Sequence, residues 1–489
     1  MTPLIFDKSV PGRRAVTIPR LSPAELEAPL NLPEGLLAEV LPGLPEVSEL
    51  DVIRHFTALS QQNFSVDTNF YPLGSCTMKY NPRVCEKIAA LDGFAGLHPL
   101  LPQLRCGGTL TQGALEALWH TERLLCELTG MSAFTLQPMA GAHGELTGML
   151  LIAAYHRANG EKREKVLIPD SAHGTNPASA SIAGFKVVSV ATDADGNVDI
   201  ADFKSKLDRD TAAVMLTCPN TLGIFERSIR EIAGLAHDNG TLLYYDGANM
   251  NALMGRARPG DLGFDVVHLN VHKTLSTPHG GGGPGAGPVG VTSALAPFLP
   301  ISTVEKHDDG TYALNYDRPQ SIGYIAPFYG NFAVLARALA YMLLLGGDGL
   351  RQATDHAVLN ANYLRVKLQD DYDIPYNRVC MHEVLLSADR QMKRSGVRAL
   401  DIAKALIDAG HHPPTVYFPM IVHEALMIEP TETESKETLD AFAADMIRIA
   451  RLAQSDPEAF KSMPENTAFS RLDETLAARA MKLTASQES

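Results

Sequence analysis

The sequence predicts an α/β protein with a mainly parallel central sheet, helices on both faces, and a smaller C-terminal α+β domain. Three observations carry this. Six short apolar runs between residues 133 and 269 alternate with amphipathic stretches, the pattern of strands buried on both faces. Polar motifs fall at the carboxyl ends of those runs, where ligands collect in such sheets. Beyond the last run the pattern changes to two long helices followed by isolated strands and helices.

In chain order, residues 1–50 are rich in Pro and Leu without a sustained period and predict an irregular arm. From Ser48 to Gln61, Leu50, Ile53, Phe56 and Leu59 recur every three residues and predict a helix. The Pro, Gly, Ser and Asn of NFSVDTNFYPLGSCTMKYNPR (63–83) predict a long ordered loop. A helix over Ala114–Thr129 ends at Gly130, a C′ position, and Trp119 on it reads as core. Strands are expected at Ala133–Leu136, Val166–Pro169, Val187–Val190, Ala213–Leu216, Leu242–Asp246 and Val266–Leu269. Asn331–Leu345 and Leu350–Leu368 predict two helices leading away from this sheet. The rest predicts strands near Glu383–Ser387 and Ala425–Glu429 and helices over Val397–Ala409 and Lys436–Leu452. The expected division is 1–110 for the arm and active-site loop, 111–345 for the large domain and 346–489 for the small domain and tail.

With 489 residues, 45% of them hydrophobic, the chain can bury a large core. A net charge of −14 without any dense basic run argues against nucleic acid as a partner. The six scattered cysteines include no CxxC pair, which suits reduced thiols of a cytoplasmic enzyme. No secretory signal is evident, and the greasy stretch Phe332–Leu345 contains Arg337 and is too short to span a bilayer. His411-His412 lie beside Pro413-Pro414 and read as a solvent-facing turn, so no metal site is expected.

The strongest local feature is HLNVHKTLSTPHGGGGPGAGP (268–288): Lys273 follows a strand, flanked by His272 and Thr274, and six glycines occur within 280–287. Such glycines permit close backbone approach to a ligand, and no Gly-Lys-Ser/Thr ending makes this a nucleotide loop. In LLYYDGANMNAL (242–253), Asp246 ends a strand, and a buried carboxylate there needs a partner. In QPMAGAHGELTGML (137–150) a strand passes into a helix through Gly141, Ala142 and His143, an anion site built of backbone amides. An imidazole there could lie flat on an aromatic cofactor, although an ordinary glycine turn would read the same way. DSAHGTNPASA (170–180) offers His173, Thr175 and Asn176, as anion contacts or as helix caps.

Their order, a phosphate-cradling turn, a strand-end aspartate, then lysine and glycine loop, resembles fold-type I enzymes dependent on pyridoxal 5′-phosphate (PLP). YPLGSCTMKYNPR, QPMAGAHGELTGML, AHGTNPASA, DGANMNAL, NVHKTLSTPHGGGGPGAGPVG and IEPTETESK resemble the glycine decarboxylase P-protein of the glycine cleavage system, over roughly Val52–Leu452. The length is similar to that of the second subunit of the split bacterial form. The resemblance implies decarboxylation of glycine and transfer of the aminomethyl group to the lipoyl arm of the H-protein. It also implies a related first subunit in an α2β2 assembly and no membrane partner. Carried over, Lys273 bonds the PLP aldehyde as a Schiff base, Asp246 faces the pyridinium nitrogen, and His143 stacks on the ring. Gly141 and Ala142 hold phosphate, helped by Thr277, and Thr175, Ala248 and His272 join the cofactor site. Tyr71, Ser75 and Cys76 lie near glycine. Two alternatives stay open: another fold-type I PLP enzyme acting on a small amino acid, and a scaffold subunit with a degenerate site. The IEPTETESK segment lacks the arginine with which aminotransferases of this fold clamp a carboxylate, which suits a carboxylate that leaves.

Overall fold

The structure, a computed structural model, describes residues 43–98, 101–103, 107–278 and 283–481, together with 2–16, 19, 22–24, 33, 35 and 36. The chain divides into two compact units, Val66–Met463 and a second formed by residues 1–65 and 464–489. In the second unit the predicted helix runs over Glu49–Ser60, opened by Ser48, whose hydroxyl accepts from the Asp51 amide while Asp51 caps back.

The larger unit is built on a seven-stranded sheet: β1 Ala133–Thr135, β2 Lys165–Pro169, β3 Lys186–Val190, β4 Thr211–Thr217, β5 Leu242–Gly247, β6 Val266–Leu269 and β7 Val289–Val291. Their spatial order is β1-β7-β6-β5-β4-β2-β3. Strands β3, β2, β4, β5 and β6 pair in parallel, whereas β7 runs antiparallel to both neighbours. β7 was not predicted, because three residues between glycines and a proline are too few to show a period. β4 and β5 are apolar along almost their whole length since helices cover both faces.

The segment Phe332–Leu368 holds the two predicted helices, which meet at Gly346 (φ 61°, ψ −177°), a non-helical backbone conformation open to glycine, so the chain kinks between them. By length and composition it could cross a membrane. Here Leu335, Ala338 and Leu364 are buried in the core, and the Arg337 guanidinium forms a two-pronged bond with Glu86 at 2.8 and 2.9 Å.

A hairpin of β8 (Thr303–Lys306) and β9 (Tyr312–Asn315) packs near the helix Gln112–Thr129. Trp119 is half-buried there, with the Lys306 ammonium 5.3 Å from its ring. It was expected in the core, but helical position 119 faces the hairpin's charged edge. Beyond the long helix, β10 (Val384–Ser387), β11 (Thr415–Val416) and β12 (Ala425–Ile428) form a small antiparallel sheet in the order β10-β12-β11. Helices Ala399–Asp408 and Lys436–Ser455 bury Ile402, Leu406, Phe442 and Met446 in the core beside it.

Candidate active site

A cavity of about 210 Å³ opens at the carboxyl ends of the parallel strands. Lys273 enters from the short helix Val271–Thr274 after β6, and its Nζ donates to the Ser75 carbonyl at 2.8 Å. Asp246 enters from the end of β5 and is 3% exposed. Its oxygens accept from the Asn176 side chain at 2.8 Å and the Ala248 amide at 3.0 Å. The parallel register sets Asp246 beside His268, whose Nε2 lies 3.3 Å from the carboxylate but without hydrogen-bond alignment. Nδ1 of His268 is engaged by the Tyr244 hydroxyl at 2.7 Å. Among the described residues no lysine or arginine pairs with Asp246.

At the cavity's other wall, Gly141 and Ala142 begin the helix Gly141–Ala158. Ala140 at its N-cap provides no side-chain cap, so first-turn amides stay available to an anion. A Cβ on Gly141 would come within 2.5 Å of the Asn270 side chain, which explains glycine at this position.

The loop predicted over 63–83 is ordered and tied to the small sheet. Leu73 bridges Ile428, the Gly74 amide donates to the Met427 carbonyl at 3.2 Å, and the Glu429 amide donates to the Pro72 carbonyl at 3.3 Å. Further along, Lys79 is buried, paired with Glu432 at 2.8 Å and donating to Asn251 at 3.0 Å. Ser75 has φ 64°, a left-handed conformation costly for a residue with a Cβ. Its backbone faces the site twice: the amide donates to Glu383 at 3.0 Å and the carbonyl accepts from Lys273. Gly74→Ala places a Cβ 2.6 Å from the Met427 carbonyl oxygen, so the loop must lift. This is expected to cost about 1–3 kcal/mol of stability, the range of an overpacked core, measured by denaturant titration.

Two buried glutamates complete the site. Glu383 precedes β10 and lines the cavity, and Glu429 follows β12. Glu429 accepts from the Thr77 hydroxyl at 2.6 Å, from the Asn249 amide at 2.9 Å and from Asn251 at 3.1 Å. Burial raises both carboxyls to about 7. Burial also raises the Cys76 thiol, which Lys273 pulls back down. A protonated packed thiol is the result.

The sequence of residues 144–283 matches the family described as aminotransferase class-V, and residues 353–467 match that of the glycine dehydrogenase C-terminal domain. The chain is 56% identical over 477 residues to a probable glycine dehydrogenase (decarboxylating) subunit 2 of Caldanaerobacter subterraneus, with 97% of each chain covered. It is likewise 56% identical to the protein of that name from Kosmotoga olearia, with 98% of each covered. The chain belongs to the glycine dehydrogenase (decarboxylating) subunit 2 family. Solved structures agree on the fold, that of fold-type I PLP-dependent transferases. A glycine decarboxylase P-protein in inhibitor-bound form superposes with a TM-score of 0.72 at 21% identity, covering 86% of this chain and 93% of that one. Glutamate decarboxylase of Lactobacillus brevis gives 0.64 at 14%, covering 88% and 97%.

The features of this glycine dehydrogenase family member fit PLP. An amine, a buried carboxylate that pairs with no lysine or arginine among the described residues, and open helix amides share one cavity. Of the expected residues, Lys273, Asp246, Gly141, Ala142, Thr175, Ala248, His272 and Ser75 line it. His143 does not. Its Nδ1 accepts from the Met139 amide at 3.3 Å, turning the ring back onto its own helix start, and His173 lines the cavity instead. Thr277 is buried but outside the lining, because the chain turns at Ser276 (φ 55°). Tyr71 and Cys76 are also outside it, Tyr71 lying flat on His412 with centroids 3.6 Å apart.

That stacking also corrects the expectation of solvent-facing histidines: His412 is half-buried against Tyr71, and His411 bonds Asp445 at 3.0 Å. Part of the glycine loop, 279–282, lies outside the described residues. Gly287 approaches backbone rather than a ligand, since a Cβ there would come within 2.1 Å of the Ala140 carbonyl oxygen, and a Cβ on Gly285 would meet the His272 ring at 3.1 Å.

Sequence reasoning missed His268, Glu383 and Glu429. A glutamate just before one apolar strand and another just after its antiparallel neighbour was the available signal for the last two. His268 was visible as the β6 residue whose strand position matches Asp246 on β5.

Proposed function

We propose that this chain holds PLP through Lys273 and decarboxylates glycine, releasing CO2 and passing the aminomethyl remainder to an oxidised lipoyl arm on the H-protein. The observation that carries the reading is the sharing of one cavity by the Lys273 amine and the Asp246 carboxylate, which pairs with no lysine or arginine among the described residues. When bound, the cofactor supplies an aldehyde for the lysine and a protonated pyridine ring that draws electrons from a bond at the glycine α-carbon.

The chain's residues supply placement and charge. Amides of Gly141 and Ala142 hold the phosphate. Asp246, oriented by Asn176 and the Ala248 amide, holds the proton on the ring nitrogen. The Ser75 carbonyl keeps the Lys273 amine at the wall. His173 is the imidazole available to the ring, whereas His143 braces the turn. Glycine offers both a proton and a carboxylate, so which bond breaks is decided by orientation. No arginine lines the cavity among the described residues to retain the carboxylate.

Kinship with a subunit numbered second supports a first subunit as partner, and we infer an α2β2 assembly in the cytoplasm. We assign residues 111–345 to the PLP-binding domain, 346–489 to the small domain and tail, and 1–110 to the arm and active-site loop. The test is glycine-dependent exchange of labelled bicarbonate, with and without first subunit and lipoylated carrier. Exchange with glycine and none with larger amino acids is expected. Transamination products instead of exchange would overturn the reading.

A further inference from the structure

Glu383 and Glu429 stand side by side because β10 and β12 are antiparallel, and both residues lie one step beyond the pair Val384↔Ile428. Ligand atoms of His382, Glu383 and Glu429 lie within 4.8 Å of one another, all three side chains buried. The two carboxylates are not equivalent. Glu429 is surrounded by the Thr77, Asn249 and Asn251 donors described above and does not line the cavity. Glu383 accepts, among the described residues, from the Ser75 amide alone, and shares the cavity wall with Lys273. One residue therefore links them: the Ser75 N–H reaches Glu383 and the Ser75 carbonyl holds the Lys273 amine.

We propose that Glu383 is the proton carrier for amine exchange at Lys273, with Glu429 as the fixed neighbour that positions it. The inference rests on the reading that Lys273 carries the cofactor. Glycine arrives as an ammonium ion and cannot attack until it loses a proton. An N–H bond of glycine breaks, the proton forms an O–H bond on Glu383, and the electron pair stays on nitrogen. With the cofactor bound, that nitrogen would form its two bonds to the carbon held by Lys273, its second proton passing to the lysine nitrogen as the two bonds from that carbon to lysine break. The lysine nitrogen would keep the electron pair and take the first proton back from Glu383. The carboxylate is restored and no other reactant is consumed.

The surroundings suit a group that both takes and gives a proton near neutrality. Burial raises Glu383, His382 and Lys273 oppose the rise, and Glu429 reinforces it. Burial raises Glu429, while Thr77, Asn249, Lys273 and Lys79 pull it down. Other candidates are less suited. The Cys76 thiol is pushed up by burial, and the Nδ1 of His173 is engaged by the Thr175 hydroxyl at 2.8 Å.

The experiment compares wild type, Glu383→Gln and Glu383→Asp as PLP-loaded full chains with the first subunit present. Glu383→Gln should keep the lysine-linked absorbance band. Its glycine-induced spectral change should slow by about 10²–10⁴-fold, the range for a lost acid–base group, and lose its pH dependence near 7. Glu383→Asp should recover part of the rate. Unchanged rate and pH profile in Glu383→Gln overturn the proposal. A wild type without a lysine-linked band overturns the cofactor reading and the proposal with it. Should Glu383→Gln fail to load cofactor, infrared difference spectra of the wild-type chain decide. A buried protonated-carboxyl band titrating at about 7 is expected, and its absence overturns the proposal.

Discussion

Lys273→Ala is expected to remove the cofactor's lysine-linked absorbance and to lower glycine–bicarbonate exchange by about 10⁴-fold or more, the scale for loss of a covalent catalytic group. The fold should survive. Lys273 lies at the cavity wall with one hydrogen bond among the described residues, to the Ser75 carbonyl, and the buried Glu383 and Glu429 carboxyls it faces are already raised to about 7, so they can take up a proton when the cation is lost. A free lysine, with its pKa of about 10.4, surrenders a proton at neutral pH only at a cost of roughly 4.6 kcal/mol. A preformed bond between lysine and cofactor spares each incoming glycine that step. Spectrophotometry and isotope exchange on the complex with the first subunit provide the measurement. Normal exchange in this variant would refute the assignment of Lys273.

Asp246→Asn should be milder and more specific. The substitution preserves shape, but the two bonds fall on different oxygens, so the single amide oxygen keeps only one of the donors, Asn176 or the Ala248 amide. The negative charge disappears with the other. A carboxylate against a protonated nitrogen commonly shifts its pKa by about 1–3 units, roughly 1.4–4 kcal/mol. Exchange should therefore fall by about 10–10³-fold with the cofactor still bound. The sign follows: without the carboxylate the ring nitrogen loses its proton at lower pH, so the alkaline limb of the pH–rate profile moves to lower pH. An unmoved limb would show that Asp246 does not hold that proton.

Both residues were legible because their signals are local. A lysine or aspartate directly after an apolar run announces a strand end, and strand ends in a parallel sheet face the ligand crevice. Which histidine lines the cavity was not legible in the same way. His143 and His173 each follow a strand and begin a helix, and sequence alone does not say which imidazole turns outward. A bond from the Met139 amide to His143 decides that question. The acidic pair was harder still. Glu383 and Glu429 are 46 positions apart, and they meet only through the register of two strands in the small sheet.

Periodicity and strand-end chemistry alone thus specified a parallel α/β sheet and its lysine and aspartate, since each depends on side chains adjacent along the chain. Resemblance of motifs then named the family. Folding in three dimensions settled which histidine reaches the cavity, how the 71–79 loop is pinned, and that two carboxylates share the site. Those outcomes depend on backbone hydrogen bonds and strand registers between distant segments, and burial raises a carboxyl only once the folded chain surrounds it.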